Sequence, residues 1–65
     1  MNILKNRLQE IRWEKNWSQG QLSRISGVPQ SVISVIENNN EIPSLMTALK
    51  LAKALSVSVE DIFTL

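Results

Sequence analysis

The sequence predicts an all-α domain of five short helices, and three observations support this class. Apolar residues recur at helical spacing along the chain, residues suited to begin or end a helix separate these segments, and no strand pattern is present. With 65 residues, of which 43% are hydrophobic, the chain is expected to form one domain, close to the lower size limit for a stable core. It contains no cysteine, so a helical core, completed by a partner subunit if necessary, must supply the stability.

A first helix is predicted over residues 3–15. Its apolar residues follow an i, i+4, i+7 spacing with polar residues between them: Ile3 or Leu4, then Leu8 and Ile11. Asn16 is expected to end this helix, because asparagine tolerates the left-handed conformation that commonly follows a last helical turn.

A second helix is predicted over residues 19–26. Ser18 is a good N-cap for it, and Leu22 and Ile25 are expected to be its buried side. Gly20 inside this helix is unusual, because glycine there costs up to about 1 kcal/mol relative to alanine.

A third helix is predicted over residues 30–37, after a tight turn at Gly27 and with Pro29 as its cap or its first residue. Its apolar side consists of Val32, Ile33 and Ile36. Asn39, just beyond its end, is expected to adopt a positive φ. Two short helices joined in this way let a small domain hold one helix outward, where it can enter a groove.

A fourth helix is predicted over residues 45–55 with Ser44 as N-cap, and a fifth over residues 59–63. The apolar residues at helical spacing in the fourth are Leu45, Ala48, Leu49, Ala52 and Leu55, and those in the fifth are Val59, Ile62 and Phe63. Glu60 and Asp61 lie in the first turn of the fifth helix, where carboxylates complement the helix dipole.

The formal net charge is only +1, but it is unevenly distributed. Residues 1–24 contain five basic and two acidic residues, residues 25–49 contain only two acidic ones, and the charges of residues 50–65 cancel. Any attraction to phosphate would therefore come from the first two helices and not from the third. On charge alone, an ordinary solvated surface is the favoured interpretation.

Enzymes and metal proteins are disfavoured, because the chain has no histidine, cysteine or tyrosine and no carboxylate pair at a spacing that would converge in a pocket. No cofactor and no small-molecule ligand are expected. No apolar run reaches the roughly 18 residues of a membrane span, and the N-terminus lacks a signal-peptide core. A cytoplasmic location without membrane contact is therefore expected.

The ordered motifs of the chain resemble the lambdoid repressor and Cro type of helix-turn-helix protein, also called the XRE family. The matching segments are Leu8–Arg12 (LQEIR), Ser18–Ser23 (SQGQLS), Gly27–Glu37 and Pro43–Phe63. The resemblance covers essentially the whole chain and implies a compact, lambda-repressor-like domain with the helix-turn-helix in helices 2 and 3. It implies a sequence-specific regulator of transcription, expected to be a repressor that binds a palindromic operator in double-stranded DNA as a homodimer.

The resemblance places base-reading positions on and just before the third helix, at Pro29, Gln30, Ser31, Ser34 and Val35. Gln30 can pair bidentately with adenine, the serines can reach either type of base edge, and Val35 suits the thymine methyl group. The alternative is that Gln30 and the two serines are merely solvent-facing.

Phosphate contacts are implied for Gln19, Arg12, Asn38, Asn39 and Asn40. Gln19 is also expected to brace the start of the third helix, and the N-terminus of the second helix suits an anion. Arg12 is further expected to form a partly buried ion pair with Glu37 that fixes the angle between helices.

The chain departs from the family pattern at three places. Positions 38–41 lack the usual cations, and Asn39 and Ser56 stand where the family has glycine. Fewer phosphate cations predict weak binding by a single subunit and a shallow salt dependence. This favours a dimer that reads two half-sites about one helical turn apart.

Candidates for the dimer interface are the apolar residues of the C-terminal end and of one loop: Ile42, Val57, Val59, Phe63 and Leu65. The alternative is that these residues complete the core of the monomer, as is expected for Ile62 and Phe63.

The two tryptophans have different expectations. Trp17 occupies a family position that packs between the first two helices. Trp13 lies at the edge of the first helix and either packs against the C-terminal helix or stays exposed for a partner. An antitoxin-like or protein-interaction module with secondary DNA binding is therefore the alternative function.

Overall fold

The computed structural model describes residues 5–39 and 41–65, and these form five helices and one pair of short strands. The elements in chain order are β1 (Lys5–Asn6), α1 (Leu8–Glu14), α2 (Gln19–Ser26), α3 (Gln30–Glu37), α4 (Leu45–Leu55), α5 (Val59–Ile62) and β2 (Phe63–Thr64). The predicted five-helix class is confirmed, but the expectation that no strand is present is wrong.

The N-terminal segment differs most from the prediction, because α1 begins at Leu8 and not at residue 3. Before it, β1 pairs antiparallel with β2, so that Lys5 lies opposite Thr64 and Asn6 opposite Phe63. The Asn6 side chain accepts a hydrogen bond from the Leu8 N–H at 3.2 Å. The predictions for Ile3 and Leu4 lie outside the described residues.

The strand pair also shortens the last helix. Phe63 was predicted to be helical, but α5 ends at Ile62 and Phe63 belongs to β2. The Arg7 N–H donates to the Ile62 carbonyl at 2.8 Å, which joins the start of α1 to the end of α5. The two ends of the described chain therefore lie side by side.

The core lies between the helices, and among the described residues it contains twelve buried apolar ones: Leu8, Ile11, Leu22, Val28, Ile33, Ile36, Ala48, Leu51, Ala52, Leu55, Ile62 and Phe63. Three residues that were expected on the buried apolar sides of their helices are exposed instead: Ile25, Leu45 and Leu49. In α4 the buried face is centred on Leu51, which the predicted stripe omitted. A helix in a small domain buries only one sector, and here the neighbouring sector is left on the surface.

Residues in the left-handed conformation follow four of the helices, α1 to α4, either directly or after one further residue. Asn16 and Asn39 have φ angles of 60° and 59°, as predicted, and Gly27 has a φ of 78°. Ser56 ends α4 with a φ of 59°. Serine therefore adopts at this position the conformation that glycine would favour.

α5 begins with a reciprocal capping box. The Ser58 side chain accepts from the Asp61 N–H at 3.1 Å, and Asp61 Oδ2 accepts from the Ser58 N–H at 3.0 Å. The hydrogen bonds from the Ser58 backbone and side chain lower the pKa of Asp61 below its ordinary value. The box holds the short α5 in the position from which β2 continues.

The lowered pKa predicts a loss of stability in acid that depends on this box. A carboxyl group with a depressed folded-state pKa stabilises the protein above its unfolded-state pKa, and this contribution is lost as the pH falls through the folded-state value. The urea midpoint should therefore fall less between pH 5 and pH 2 in Asp61→Asn than in the unmodified protein. Glu60→Gln, which removes a carboxylate from the same turn, is the control and should retain the fall. Equal pH dependence in the unmodified protein and Asp61→Asn would contradict the prediction.

Among the described residues, no helix has the length and apolar character needed to cross a membrane.

Candidate nucleic-acid interface

The outer side of α3 presents the five residues predicted to read bases. Ile33 and Ile36 anchor the inner side of the helix in the core. Pro29, Gln30 and Ser31 are exposed, and Ser34 and Val35 are half-buried. Positions three and four apart are neighbours on a helix surface, and this spacing relates Gln30 to Ser34 and relates Ser31 to both Ser34 and Val35. The four residues therefore form one continuous strip. Pro29 is the N-cap of α3 and stands at the end of this strip.

The turn between α2 and α3 is fixed by two side-chain hydrogen bonds. Ser23 Oγ donates to the Val28 carbonyl at 2.6 Å, and Ser26 Oγ accepts from the Val28 N–H at 3.1 Å. Val28 is itself buried. The start of α3 is therefore held to the end of α2 by both packing and polar contacts, as a rigid reading element requires.

Arg12 and Glu37 form the ion pair that the resemblance implied, and it joins α1 to α3. Arg12 Nε donates to Glu37 Oε2 at 2.8 Å, and Arg12 Nη2 donates to Glu37 Oε1 at 3.0 Å. The side chains are only 7% and 2% exposed. Arg12 Nη1 donates to the Trp17 carbonyl at 2.8 Å, so the link between α1 and α2 is bound to the same guanidinium.

The environment of Arg12 keeps it charged. The hydrogen bond to Glu37 raises the pKa of Arg12, and the charge of Glu37 adds to this effect against the opposing effect of burial. Because the folded-state pKa is raised, the charge on Arg12 contributes stability that is fully present below the unfolded-state pKa of arginine and is lost as the pH rises through the folded-state value.

The predicted phosphate contact of Arg12 does not fit this geometry. The residue is buried, and all three guanidinium nitrogens donate inside the protein. A phosphate at the surface would have to displace Glu37 from its partner, which leaves a buried carboxylate uncompensated. We therefore assign Arg12 a structural role only.

Gln19 lies at the first position of α2, but it braces a different end of α3 from the one expected. Its Nε2 donates to Glu37 Oε1 at 2.9 Å, and Glu37 is the last residue of α3. The start of α3 instead lies near Gly20. A Cβ atom placed on Gly20 would be only 3.5 Å from Oε1 of Gln30, the first residue of α3. The side-chain nitrogen of Gln19 has two hydrogens. One of them is donated to Glu37, and the other remains available for a further hydrogen bond.

The N-terminus of α2 has a capping box that leaves two backbone donors without a helical partner. Ser18 Oγ accepts from the Gln21 N–H, and Gln21 Oε1 accepts from the Ser18 N–H. The N–H groups of Gln19 and Gly20 then point out of the helix end. Close to it in the chain, the Lys15 ammonium lies 5.5 Å from the centre of the Trp17 ring. Trp17 is half-buried and packs against the core, as the resemblance implied.

Of the three asparagines after α3, Asn38 and Asn39 are exposed. Asn39 Oδ1 accepts from Asn6 Nδ2 at 2.6 Å. Asn40 lies outside the described residues. Sequence reasoning missed Asn6, because a single polar residue before a helix has no pattern that would predict such a contact.

The positive charge expected on the first two helices is partly neutralised by ion pairs. Arg7 pairs with Glu10 at 3.3 Å at the surface, and Arg12 pairs with Glu37 in the interior. Of the five basic residues counted in this region, Lys5, Lys15 and Arg24 have no ion pair among the described residues. The electrostatic attraction to phosphate is therefore smaller than the sequence count predicts.

An exposed apolar patch lies on α4 and the loop before it, and it differs from the predicted dimer surface. We call Ile42, Leu45, Met46 and Leu49 the α4 patch, since all four side chains are more than half exposed. The three helical members share a face by their spacing. Ile42 was among the predicted interface residues, whereas the other three were not.

The remaining predicted interface residues are less suitable. Phe63 is buried in the monomer, and Val57 and Val59 are partly buried against the core. Phe63 is therefore removed from the predicted interface, because its surface is already covered. Leu65 is exposed, as an interface residue should be. Trp13 is 58% exposed, so of its two predicted alternatives the structure favours the exposed position over packing against the C-terminal helix.

Comparison with known proteins gives matches along most of the chain. The helix-turn-helix family model matches residues 8–62. YgzD of Bacillus subtilis, an uncharacterized HTH-type transcriptional regulator, is 39% identical over 62 residues, which cover 95% of this chain and 94% of YgzD. Antitoxin HipB of Escherichia coli O6:H1 is 34% identical over 56 residues, covering 86% of this chain and 60% of HipB.

A solved structure with the same architecture is also similar in sequence. The restriction-modification controller protein C.AhdI of Aeromonas hydrophila superimposes with a TM-score of 0.80 at 36% identity. The match covers 85% of this chain and 83% of the controller.

Proposed function

Because this chain belongs to the XRE-type helix-turn-helix family and is a DNA-binding transcriptional regulator, we propose that it represses transcription by binding a palindromic operator as a homodimer. The observation that carries the proposal is the polar strip on the outer side of α3. This strip is set on a helix whose inner side and whose two ends are fixed by buried contacts.

Base reading would be performed by the strip residues in the major groove. Gln30 offers a donor and an acceptor to adenine, and Ser31 and Ser34 offer hydroxyl groups to either type of base edge. Val35 provides methyl surface to thymine. The strip carries no charge, so discrimination between sequences would come from hydrogen bonding and apolar contact and would change little with salt.

Phosphate binding would be performed at both ends of the helix-turn-helix. The outward N–H groups at the start of α2 and the remaining donor of Gln19 suit one phosphate. Asn38 and Asn39, beyond the end of α3, suit another. Lys15, which lies beside Trp17 in the link before α2, would supply a cation near the first.

A second copy of the chain would supply the affinity that one weakly charged subunit lacks. The α4 patch is the surface that supports this part of the proposal, because its four large apolar side chains are more than half exposed among the described residues. A two-fold axis at this patch would present two α3 helices to successive turns of the major groove. Occupation of a promoter by this dimer would exclude polymerase.

The proposal is tested by titration of DNA from upstream of the protein's own gene. Gln30→Ala combined with Ser34→Ala should weaken binding roughly 5- to 100-fold, the size expected for loss of a base contact. Fluorescence anisotropy measures this, and binding to an unrelated duplex should stay unchanged. A reporter fused to the same DNA should be repressed by the unmodified protein and released by the variant.

A matched control removes an exposed amide and an exposed hydroxyl elsewhere, in Gln9→Ala combined with Thr64→Ala. This control should bind as the unmodified protein does. If the α3 variant bound the upstream DNA as tightly as the control, the assigned reading residues would be wrong.

A second candidate function is supported by the similarity to antitoxin HipB and by the exposed Trp13. In this alternative, the chain would bind the product of a neighbouring gene and DNA binding would be secondary. Co-expression with that product distinguishes the two functions. The alternative would be favoured if the unmodified protein captured this product, the Trp13→Gln variant did not, and no specific DNA binding were found.

A further inference from the structure

We propose that Asn6 is a positioning residue, which turns the Asn39 side chain so that its NH2 group faces a DNA phosphate. This inference rests on the proposed function, because it concerns one of the phosphate contacts. It also gives the pairing of β1 with β2 a functional role, because this pairing holds Asn6 opposite Phe63.

Two backbone groups determine which way the Asn6 side chain points. The Leu8 N–H can only donate, so the Asn6 atom at 3.2 Å from it is the oxygen Oδ1. The Ile36 carbonyl can only accept, so the Asn6 atom at 3.0 Å from it is the nitrogen Nδ2. The two ends of the carboxamide are therefore distinguished by partners whose chemistry is unambiguous.

This orientation determines that of Asn39. Asn6 Nδ2 also lies 2.6 Å from the Asn39 side chain, and because Asn6 offers a donor there, Asn39 must present its oxygen. The Asn39 Nδ2 atom is then directed away from Asn6, on a residue that is exposed. Phosphate oxygens only accept hydrogen bonds, so the outward NH2 group is the end that can bind them.

The arrangement does not follow from the family pattern that the resemblance implies, in which glycine stands at the position of Asn39. Asn39 keeps the positive φ of 59°, which asparagine tolerates, and it adds a side chain where glycine has none. The chain also lacks the usual cations in this loop. A donor held in a fixed direction compensates in part for their absence.

The test compares two substitutions of Asn39. Asn39→Gly keeps the backbone conformation and removes the donor. Asn39→Asp keeps an acceptor for Asn6 but faces the phosphate with a carboxylate oxygen. Binding is measured by fluorescence anisotropy on a duplex that the unmodified protein selects from a random pool, and on an unrelated duplex. Asn39→Gly should weaken binding about tenfold on both duplexes, since a phosphate contact carries no sequence information. Asn39→Asp should weaken it further.

Asn6→Ala tests the positioning role in a double-mutant cycle. It should weaken binding about as much as Asn39→Gly does, and it should have no further effect when Asn39 is already glycine. Thr64→Ala, an exposed substitution in β2, is the control for disturbance of the strand pair and should bind normally. A full additional loss from Asn6→Ala in the Asn39→Gly background would overturn the proposal, and so would unchanged binding by Asn39→Gly.

A second measurement needs no variant and therefore does not depend on whether Asn6→Ala folds. In NMR spectra of the unmodified protein, the NH2 protons of Asn6 should be protected from solvent exchange and those of Asn39 should not. Addition of the selected duplex should shift the Asn39 NH2 signals. Protection of the Asn39 NH2 group in the free protein would overturn the inference. Failure of the protein to select any duplex would instead count against the proposed function.

Discussion

Replacement of Arg12 by alanine is expected to lower the free energy of unfolding by about 3–5 kcal/mol, because it leaves a buried carboxylate without its partner. Glu37 is 2% exposed and would keep only the hydrogen bond from Gln19. A chain of 65 residues has a total stability of roughly 3–10 kcal/mol. Urea denaturation followed by circular dichroism should therefore show that much or all of the stability is lost.

Removal of both charges should be less harmful than removal of one. In Arg12→Met combined with Glu37→Leu no unpaired charge remains, so the loss should be smaller than in Arg12→Ala, although the Trp17 carbonyl loses a donor. Arg7→Ala is the surface control. The Arg7–Glu10 side chains are 54% and 64% exposed, and such a pair contributes about 0–1 kcal/mol. If Arg12→Ala were no more harmful than Arg7→Ala, the ion pair would not have the structural role assigned to it.

Polar substitution of the α4 patch is expected to convert the proposed homodimer into a monomer and to weaken binding to the proposed operator by about 10²–10⁴-fold. This is the range by which binding of two linked modules exceeds that of one. Leu45→Gln combined with Leu49→Gln removes two apolar side chains one helical turn apart without changing the net charge. Sedimentation velocity measures the oligomeric state, and fluorescence anisotropy measures the affinity for the operator.

The matched control places the same polar residue at two exposed apolar positions on other helices, Trp13→Gln combined with Ile25→Gln. Leu49 and Ile25 are almost equally exposed, at 52% and 53%, so solvent exposure alone does not distinguish the two variants. The control should remain dimeric. If the dimer persisted with the α4 substitutions but was lost with the control substitutions, the interface would lie on the α1–α2 side and not on the α4 patch.

The parts of the fold that follow from neighbouring residues could be predicted from the sequence. α2, α3 and α4 begin and end at the expected residues because caps and turn residues act within a few positions of themselves. The strand pair could not be predicted, because Asn6 and Phe63 are distant in the chain and strands of two residues have no recognisable period.

The candidate site was predictable to a similar degree. The outward strip of α3 follows from helical spacing once Ile33 and Ile36 are placed in the core. The partner of Gln19 and the burial of Arg12 depend on how three helices meet, which no local pattern specifies. In α4, two adjacent stripes are both apolar, and only the position of the other helices decides which one is buried.

The way α3 is held has a consequence for how new specificities could arise. Among the described residues, the side chains of Gln30, Ser31 and Ser34 form no hydrogen bond within the protein, whereas Glu37, Ile33 and Val28 carry the contacts that hold the helix and its turn. The positions that would distinguish one operator from another are thus separate from those that keep the chain folded. Mutational drift or deliberate redesign can exchange the former at little cost in stability, so a lineage with this architecture can change its target while it keeps its scaffold.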